Sequence, residues 1–255
     1  MRTGLRLALG TLTVIPVGDL PTISKREAAW SAALAPVAVL PLGLLAMAVS
    51  LAGARAHLNA GIVAALVVMG LAWGTRAMHW DGLADTADGF AAGWDRERAL
   101  HVMRLGNVGP SGVGVLTMVL LLDVLALAGI ERHAGGWLLV GALVVVSRGA
   151  LVLAASVRVP AARNEGLGSV VAASVPHATT AVVVLAATAL LVGASAVLGT
   201  GLDTALVAAA CGFGAVALLL RRTHRILGGI TGDVMGAAIE LQFCVMAIVL
   251  SGVGS

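Results

Sequence analysis

Three carboxylates fall within eight residues in the stretch His79-Trp80-Asp81-Gly82-Leu83-Ala84-Asp85-Thr86-Ala87-Asp88-Gly89, in a chain that carries only 13 acidic residues among 255. Asp81, Asp85 and Asp88 stand at i, i+4 and i+7. At about 100° per residue that confines them to an arc of roughly 60° on one helix face. Such a cluster repels itself and raises its own pKa values unless a cation is near. Oxygen-only donors suit a hard ion, and Mg²⁺ typically takes one or two carboxylates together with substrate phosphate oxygens. Gly82 and Gly89 leave room for a bulky ligand. The bland alternative is a solvated acidic loop, but it gives no reason for helical spacing directly after a long apolar run, where acids are functional by default. His79 adjoins the cluster, either as a base or substrate contact or as an incidental interfacial histidine.

A second constellation is Gly228-Gly229-Ile230-Thr231-Gly232-Asp233-Val234-Met235-Gly236-Ala237-Ala238-Ile239-Glu240. Glycines before a helix start, with Thr231 as a cap, expose backbone N–H groups that can cradle a phosphate. Asp233 and Glu240 are seven apart and share a face, and a carboxylate inside an apolar span needs a partner. A capped glycine loop is the plain alternative, and Glu240 argues against it. A cationic set accompanies these motifs: Arg104 before the turn Gly109-Pro110-Ser111-Gly112, Arg148 inside Ser147-Arg148-Gly149, Arg163 and Glu165 in Arg163-Asn164-Glu165-Gly166-Leu167-Gly168, and Arg225 just before the glycines. Arginine binds phosphate in forked geometry, although Arg163 and Arg225 are explained equally well as topogenic charges.

The elements that must position these groups are apolar. Hydrophobic residues make up 59% of the chain and charged residues 11%, against about a quarter charged in a soluble domain. The mean hydropathy is +1.01. Apolar runs long enough to cross about 30 Å of hydrocarbon recur, so the expectation is an all-α, polytopic helix bundle forming a single membrane domain over 1–255. Seven spans are expected at about 29–51, 59–78, 109–130, 135–157, 179–199, 203–220 and 234–252, preceded by a short interfacial or re-entrant segment from Leu5 to Pro16 that is retained in the mature chain. Ser24 and Glu27 form a capping-box pattern, and Pro36 and Pro41 should kink the first span. Abundant Gly and Ala favour close helix packing.

With seven crossings, thirteen basic residues share one side: Arg2, Arg6, Lys25, Arg26, Arg76, Arg96, Arg98, Arg104, Arg158, Arg163, Arg221, Arg222 and Arg225. Only Arg55 and Arg132 fall on the other. The positive-inside rule makes the rich side, which also carries the motifs, cytoplasmic, and places the C-terminus outside. The net charge of +3 comes without a basic block interleaved with aromatics, so nucleic acid is not an expected partner. Cys211 and Cys244 read as core residues of apolar runs. No Walker loop, Rossmann fingerprint or Ser/His/Asp set is present.

On these residues the chain resembles the cobalamin synthase family, the adenosylcobinamide-GDP ribazoletransferases, over nearly its whole length. His79 to Gly89 is similar to that family's H-x-D-G-L-A-D-T-x-D-G and Gly228 to Glu240 to its G-G-x-T-G-D-x-x-G-A-A-x-E. Leu12 to Pro16, Met103-Arg104, Ser147-Arg148-Gly149 and Glu165 to Gly168 match as well. Leu105, the Gly109 to Gly112 turn and Phe243 depart from common forms and shift weight onto Asp81, Asp85, Asp88, Asp233 and Glu240. The resemblance implies a Mg²⁺-dependent membrane transferase that joins adenosylcobinamide-GDP to α-ribazole, or its 5′-phosphate, and releases GMP. It would work at the cytoplasmic face with membrane lipid as a partner, and homo-oligomerisation is left open. The implied site is Asp81, Asp85, Asp88 and Asp233 as metal ligands, with Glu240 and His79 also catalytic. Arg104, Arg148, Arg225, Gly228, Gly229, Thr231, Gly232 and Glu165 would bind substrate and phosphate. Two other readings compete. A CDP-alcohol phosphotransferase shares the D-G-x-x-A start, but its later aspartates are not matched. A transporter would need paired, interrupted halves that are not visible.

Overall fold

A computed structural model describes residues 1–252 apart from 21, 157 and 200, and the structural statements below concern those residues. Position 21 of the expected polar loop and position 157 of the expected fourth span lie outside them. The described chain is all-α, with only two isolated bridges, Ser156 to Val175 and Ala161 to Ile230.

The N-terminal segment is a helix, α1 (Arg2–Leu12), packed against α2 (Lys25–Ala33). The Ser24 hydroxyl accepts from the Glu27 amide and the Glu27 carboxylate accepts from the Ser24 amide, so the capping box forms as read. The first expected span is not a kinked helix but three pieces: α2, α3 (Ala35–Ala38) and α4 (Leu40–Arg55). Pro36 and Pro41 each sit near the start of the following piece, where a missing N–H is harmless. A proline inside a helix removes a hydrogen bond and clashes with the turn before it. Two such prolines five residues apart therefore divide this stretch.

Five helical stretches are long and apolar enough to cross a membrane: α8 (Pro110–Glu131), α9 (Gly136–Ser147) continued by α10 (Ala150–Ala154), α12 (His177–Val197), α13 (Leu202–Leu227) and α14 (Gly232–Ser251). A sixth would require α5 (Ala60–Gly74) and α6 (Met78–Ala91) to count as one, but they meet at 90°. The expected count of seven is therefore not reached on length and apolarity. α7 (Arg96–Val102) and α11 (Leu167–Val171) are short helices in the connecting segments.

The α9–α10 stretch is 83% buried and forms the axis of the bundle, whereas α8, α12 and α13 are 22–28% buried. Their exposed Leu and Val side chains, such as Leu125, Leu185 and Leu218, suit contact with lipid. α4 lies against α9 at a glycine pair: a Cβ on Gly43 would stand 3.2 Å from the Gly141 carbonyl, and one on Gly141 would stand 3.2 Å from that of Gly43. Small residues here let backbones touch, as expected in a bilayer.

The connections sort into two ends. Gly129 packs on Ser251 and Gly135 on Leu198 at one end. At the other, Gly229 packs on Pro160, Gly168 on Thr231, and Gly228 on Arg96. The loops expected to share the basic side thus meet at the second end.

Candidate active site

The bend between α5 and α6 decides where the acidic motif goes. Arg76 and Ala77 both take left-handed backbone, at φ 57° and 54°, a conformation that costs non-glycine residues roughly 1–2 kcal/mol each. The bend is fastened from both sides. The Ala77 amide donates to the Ala72 carbonyl at 2.7 Å, and the Val14 amide donates to that of Gly74 at 2.8 Å. Arg76 Nη2 reaches the Gly10 carbonyl at 2.7 Å. The end of α1 thus holds the turn that aims α6.

From there α6 runs past α14 in the opposite direction. A Cβ on Gly82 would stand 2.6 Å from the Asp233 carbonyl oxygen and 3.0 Å from its Cα, while one on Gly236 would stand 3.2 Å from the His79 Cα. Only glycine allows this approach, and it brings the two motifs together. His79 Nδ1 lies 3.4 Å from Glu240 Oε1, with His79 almost fully buried. His79 Nε2 is buried with no partner among the described residues.

Asp88 does not share the fate of Asp81 and Asp85. It is buried, and its carboxylate accepts from the Gly109 amide at 2.6 Å and the Gly112 amide at 2.8 Å. These are the N-cap and third residue of α8, where orphan amides and the helix dipole favour an anion. Glycine at 109 and 112 lets the carboxylate in, since a Cβ at either would collide with it. Asp88 anchors α8 to α6.

Asp81 is exposed and Asp85 half-buried on the cavity-end half of α6, which is not one of the five spanning stretches. Partial burial, and then the charges of Asp81, Asp233 and Asp88, push the Asp85 carboxyl up to about 6. Among the described residues no three His, Cys, Asp or Glu side chains converge on a point that could hold a metal ion. Mutually repelling carboxylates with no closed cage fit an ion that arrives with a phosphate and takes one or two protein oxygens. They do not fit one enclosed by the protein alone.

Opposite, Arg163 Nη1 lies 3.9 Å from Asp233 Oδ2, and Arg163 Nη2 donates to the Leu100 carbonyl at 2.9 Å. Burial lowers the Arg163 pKa, Asp233 raises it and Arg104 lowers it further, so Arg104 is within electrostatic reach although exposed. Thr231 caps α14 through the Val234 amide and donates to Asp233 Oδ2 at 3.1 Å. Gly228 takes φ 75° at the end of α13, and Gly229 lies against the Pro160 and Ala161 backbone. There the Ile230 amide donates to the Pro160 carbonyl and the Ala162 amide to that of Ile230. These two glycines join loops, while Thr231 and Gly232 line the cavity.

That cavity, of about 310 Å³, is bounded by α1, α2, α6, α10, α11, α14 and the 163–168 loop. Asp81, His79, Arg163, Glu165, Thr231 and Asp233 all line it. Asp85, Asp88, Arg104, Gly228, Gly229 and Glu240 are not part of its lining, and two further expected residues lie elsewhere. Arg225 borders a separate basic hollow with Arg158, Arg221 and His224. Arg148 is buried behind the cavity, donating to the Val144 carbonyl and Ser147 Oγ, both at 2.9 Å. It shares a void of about 20 Å³ with Glu240, Trp80 and Asp123. Asp123, buried in α8 with an unpartnered Oδ1, belongs to no motif. Its only signal in the sequence is an acid in the middle of an apolar span, a placement that is costly without a role.

Comparison with known proteins places the chain among relatives of one kind. The model of the cobalamin-5-phosphate synthase family matches residues 4–251. An adenosylcobinamide-GDP ribazoletransferase of Nocardioides sp. is 44% identical over 94% of this chain and 95% of its own length. Proteins of the same name from Frankia casuarinae and Chlorobaculum parvum are 36% and 38% identical over 96% and 94% of this chain, and over 93% and 92% of their own lengths. No solved structure matches.

Proposed function

The chain belongs to the cobalamin-5-phosphate synthase family, and from that premise we propose that it joins adenosylcobinamide-GDP to α-ribazole, or α-ribazole 5′-phosphate, giving adenosylcobalamin, or its 5′-phosphate, and GMP. The observation that carries this reading is the apposition of α6 and α14, which puts two acidic motifs and Arg163 around one cavity mouth.

In the reaction a ribose hydroxyl attacks the phosphorus that bears the cobinamide arm, and the bond from that phosphorus to the GMP oxygen breaks. Such displacements depend on positioning and charge neutralisation more than on covalent help from the protein. Asp81, Asp85 and Asp233 would hold Mg²⁺, which when bound neutralises diphosphate charge. Arg163, with Arg104 beside it, takes further phosphate charge. Asp88 sets the position of α6 against α8. The hydroxyl proton passes to His79, buried against Glu240, or to Asp81 on the same wall. Arg148 offsets the Glu240 charge from behind. The cavity end, with its arginines, faces the cytoplasm.

Purified protein in detergent with Mg²⁺, adenosylcobinamide-GDP and α-ribazole should release GMP, stop when EDTA is added, and resume with excess Mg²⁺. Folded protein that releases no GMP defeats the reading. Trp94→Cys, at an exposed position beside α7, should react with an impermeant maleimide only from the cytoplasmic side. Labelling from outside reverses the orientation.

A further inference from the structure

The cavity is far smaller than a corrinoid and about the size of one nucleoside, and its deep wall differs in kind from its mouth. The mouth carries Asp81, Asp233, Arg163 and Glu165. The deep wall is made by Leu12 of α1, Ala32 of α2, Leu151 of α10, Val171 of α11 and Ile239 of α14, all buried apolar side chains. Two of the hydroxyls that border it are committed locally. Thr11 Oγ1 donates to the Leu7 carbonyl at 2.8 Å, and Thr231 Oγ1 donates to Asp233 while capping α14. Among the described lining residues, buried polar atoms without a hydrogen-bond partner belong to His79 and to Arg163 at Nε, and of the two only the imidazole can accept a hydrogen bond. α1, α2 and α11 contribute to this wall and carry none of the acidic residues of the two motifs.

We propose that this cavity is the acceptor subsite: the apolar wall holds the dimethylbenzimidazole of α-ribazole, and His79 Nε2 accepts a hydrogen bond from its ribose. The corrin ring and the guanosine stay outside the mouth. This rests on the transferase reading above. The dimethylbenzimidazole ring offers no N–H donor and one acceptor nitrogen, so it loses little in an apolar wall. Guanine, with several donors and acceptors, would leave them desolvated and unpaired there. A ribose hydroxyl placed beside His79 also stands next to the Asp81–Asp233 mouth, where a diphosphate entering from the loop side would meet it.

The test is a pair of variants that fill the cavity from different helices, Ala32→Leu on α2 and Thr11→Leu on α1, neither of which touches the carboxylates. Overpacking of this kind weakens a fitted ligand by roughly tenfold or more. Each variant should raise KM for α-ribazole by that factor and leave KM for adenosylcobinamide-GDP within about twofold. Size-exclusion behaviour in detergent and that unchanged second KM report an intact fold. Calorimetric titration with α-ribazole alone should show the same loss of affinity. A rise in KM for adenosylcobinamide-GDP with that for α-ribazole unchanged would place the nucleotide in the cavity and overturn the proposal, and so would no change in either. Turnover by the wild type reads the transferase assignment separately: GMP release with the wrong KM shifted sinks the subsite alone.

Discussion

Gly82→Ala is the most informative small change the structure offers. The added methyl would stand 2.6 Å from the Asp233 carbonyl oxygen and 3.0 Å from its Cα. Both are backbone atoms of α14's first turn, so no side chain can rotate away. Reaching an ordinary contact of roughly 3.5 Å requires α6 and α14 to part by about 1 Å. That displacement moves Asp81 and Asp85 away from Asp233, the pair of walls on which the transferase reading rests. A misplacement of about 1 Å in a positioning site costs on the order of a hundredfold in rate. Gly214→Ala on α13 is the matched control, because a Cβ there meets nothing within 4 Å and alanine favours the helix by up to about 1 kcal/mol. Initial rates of GMP release, measured on both variants at equal folded concentration, should show a loss of about a hundredfold in Gly82→Ala and none in Gly214→Ala. If Gly82→Ala stays within about threefold of wild type, the close approach of the two helices is not what positions the reacting groups.

Asp88 and Asp85 should separate by phenotype. Asp88→Ala leaves two amides at the start of α8 without their acceptor and should lower stability by about 1–3 kcal/mol, read as a lower Tm in detergent. Asp85→Asn should abolish turnover with Tm nearly unchanged, and the opposite pattern would reverse the two roles. Arg163→Lys keeps the charge but loses the fork that spans Asp233 and the Leu100 carbonyl. It should raise KM for adenosylcobinamide-GDP about tenfold, and an unchanged KM would remove Arg163 from phosphate binding.

The membrane-embedded, all-α character and the two motifs were legible because they depend on local pattern: apolar run length, i, i+4, i+7 spacing, and a capped glycine loop. The capping box at Ser24 was legible for the same reason. What pattern could not supply is which neighbour each face meets. Asp81, Asp85 and Asp88 share one arc, yet that arc faces a cavity at one end and the amides of α8 at the other, so Asp88 anchors a helix. Gly228 and Gly229 looked available to phosphate, but Arg96 packs on the first and the loop at 160–161 on the second. Asp123 stands alone in its span, and only folding brings it beside Arg148 and Glu240. The expected first span fails on a local rule: two prolines five residues apart break a helix. The 90° turn has no glycine at its two left-handed positions, Arg76 and Ala77, since contacts with α1 hold two ordinary residues in that backbone.

The central claim is that α6 and α14 present one site, with Asp85 and Asp233 acting as a unit. A double-mutant cycle on GMP release tests it most directly, using wild type, Asp85→Asn, Asp233→Asn and the double variant with saturating Mg²⁺ and both substrates. Groups that act together are strongly non-additive. The account predicts that either single substitution removes nearly all turnover and that the double variant is no slower than the worse single one. Losses that multiply, each single variant retaining substantial activity and the double losing the product of the two, would contradict it.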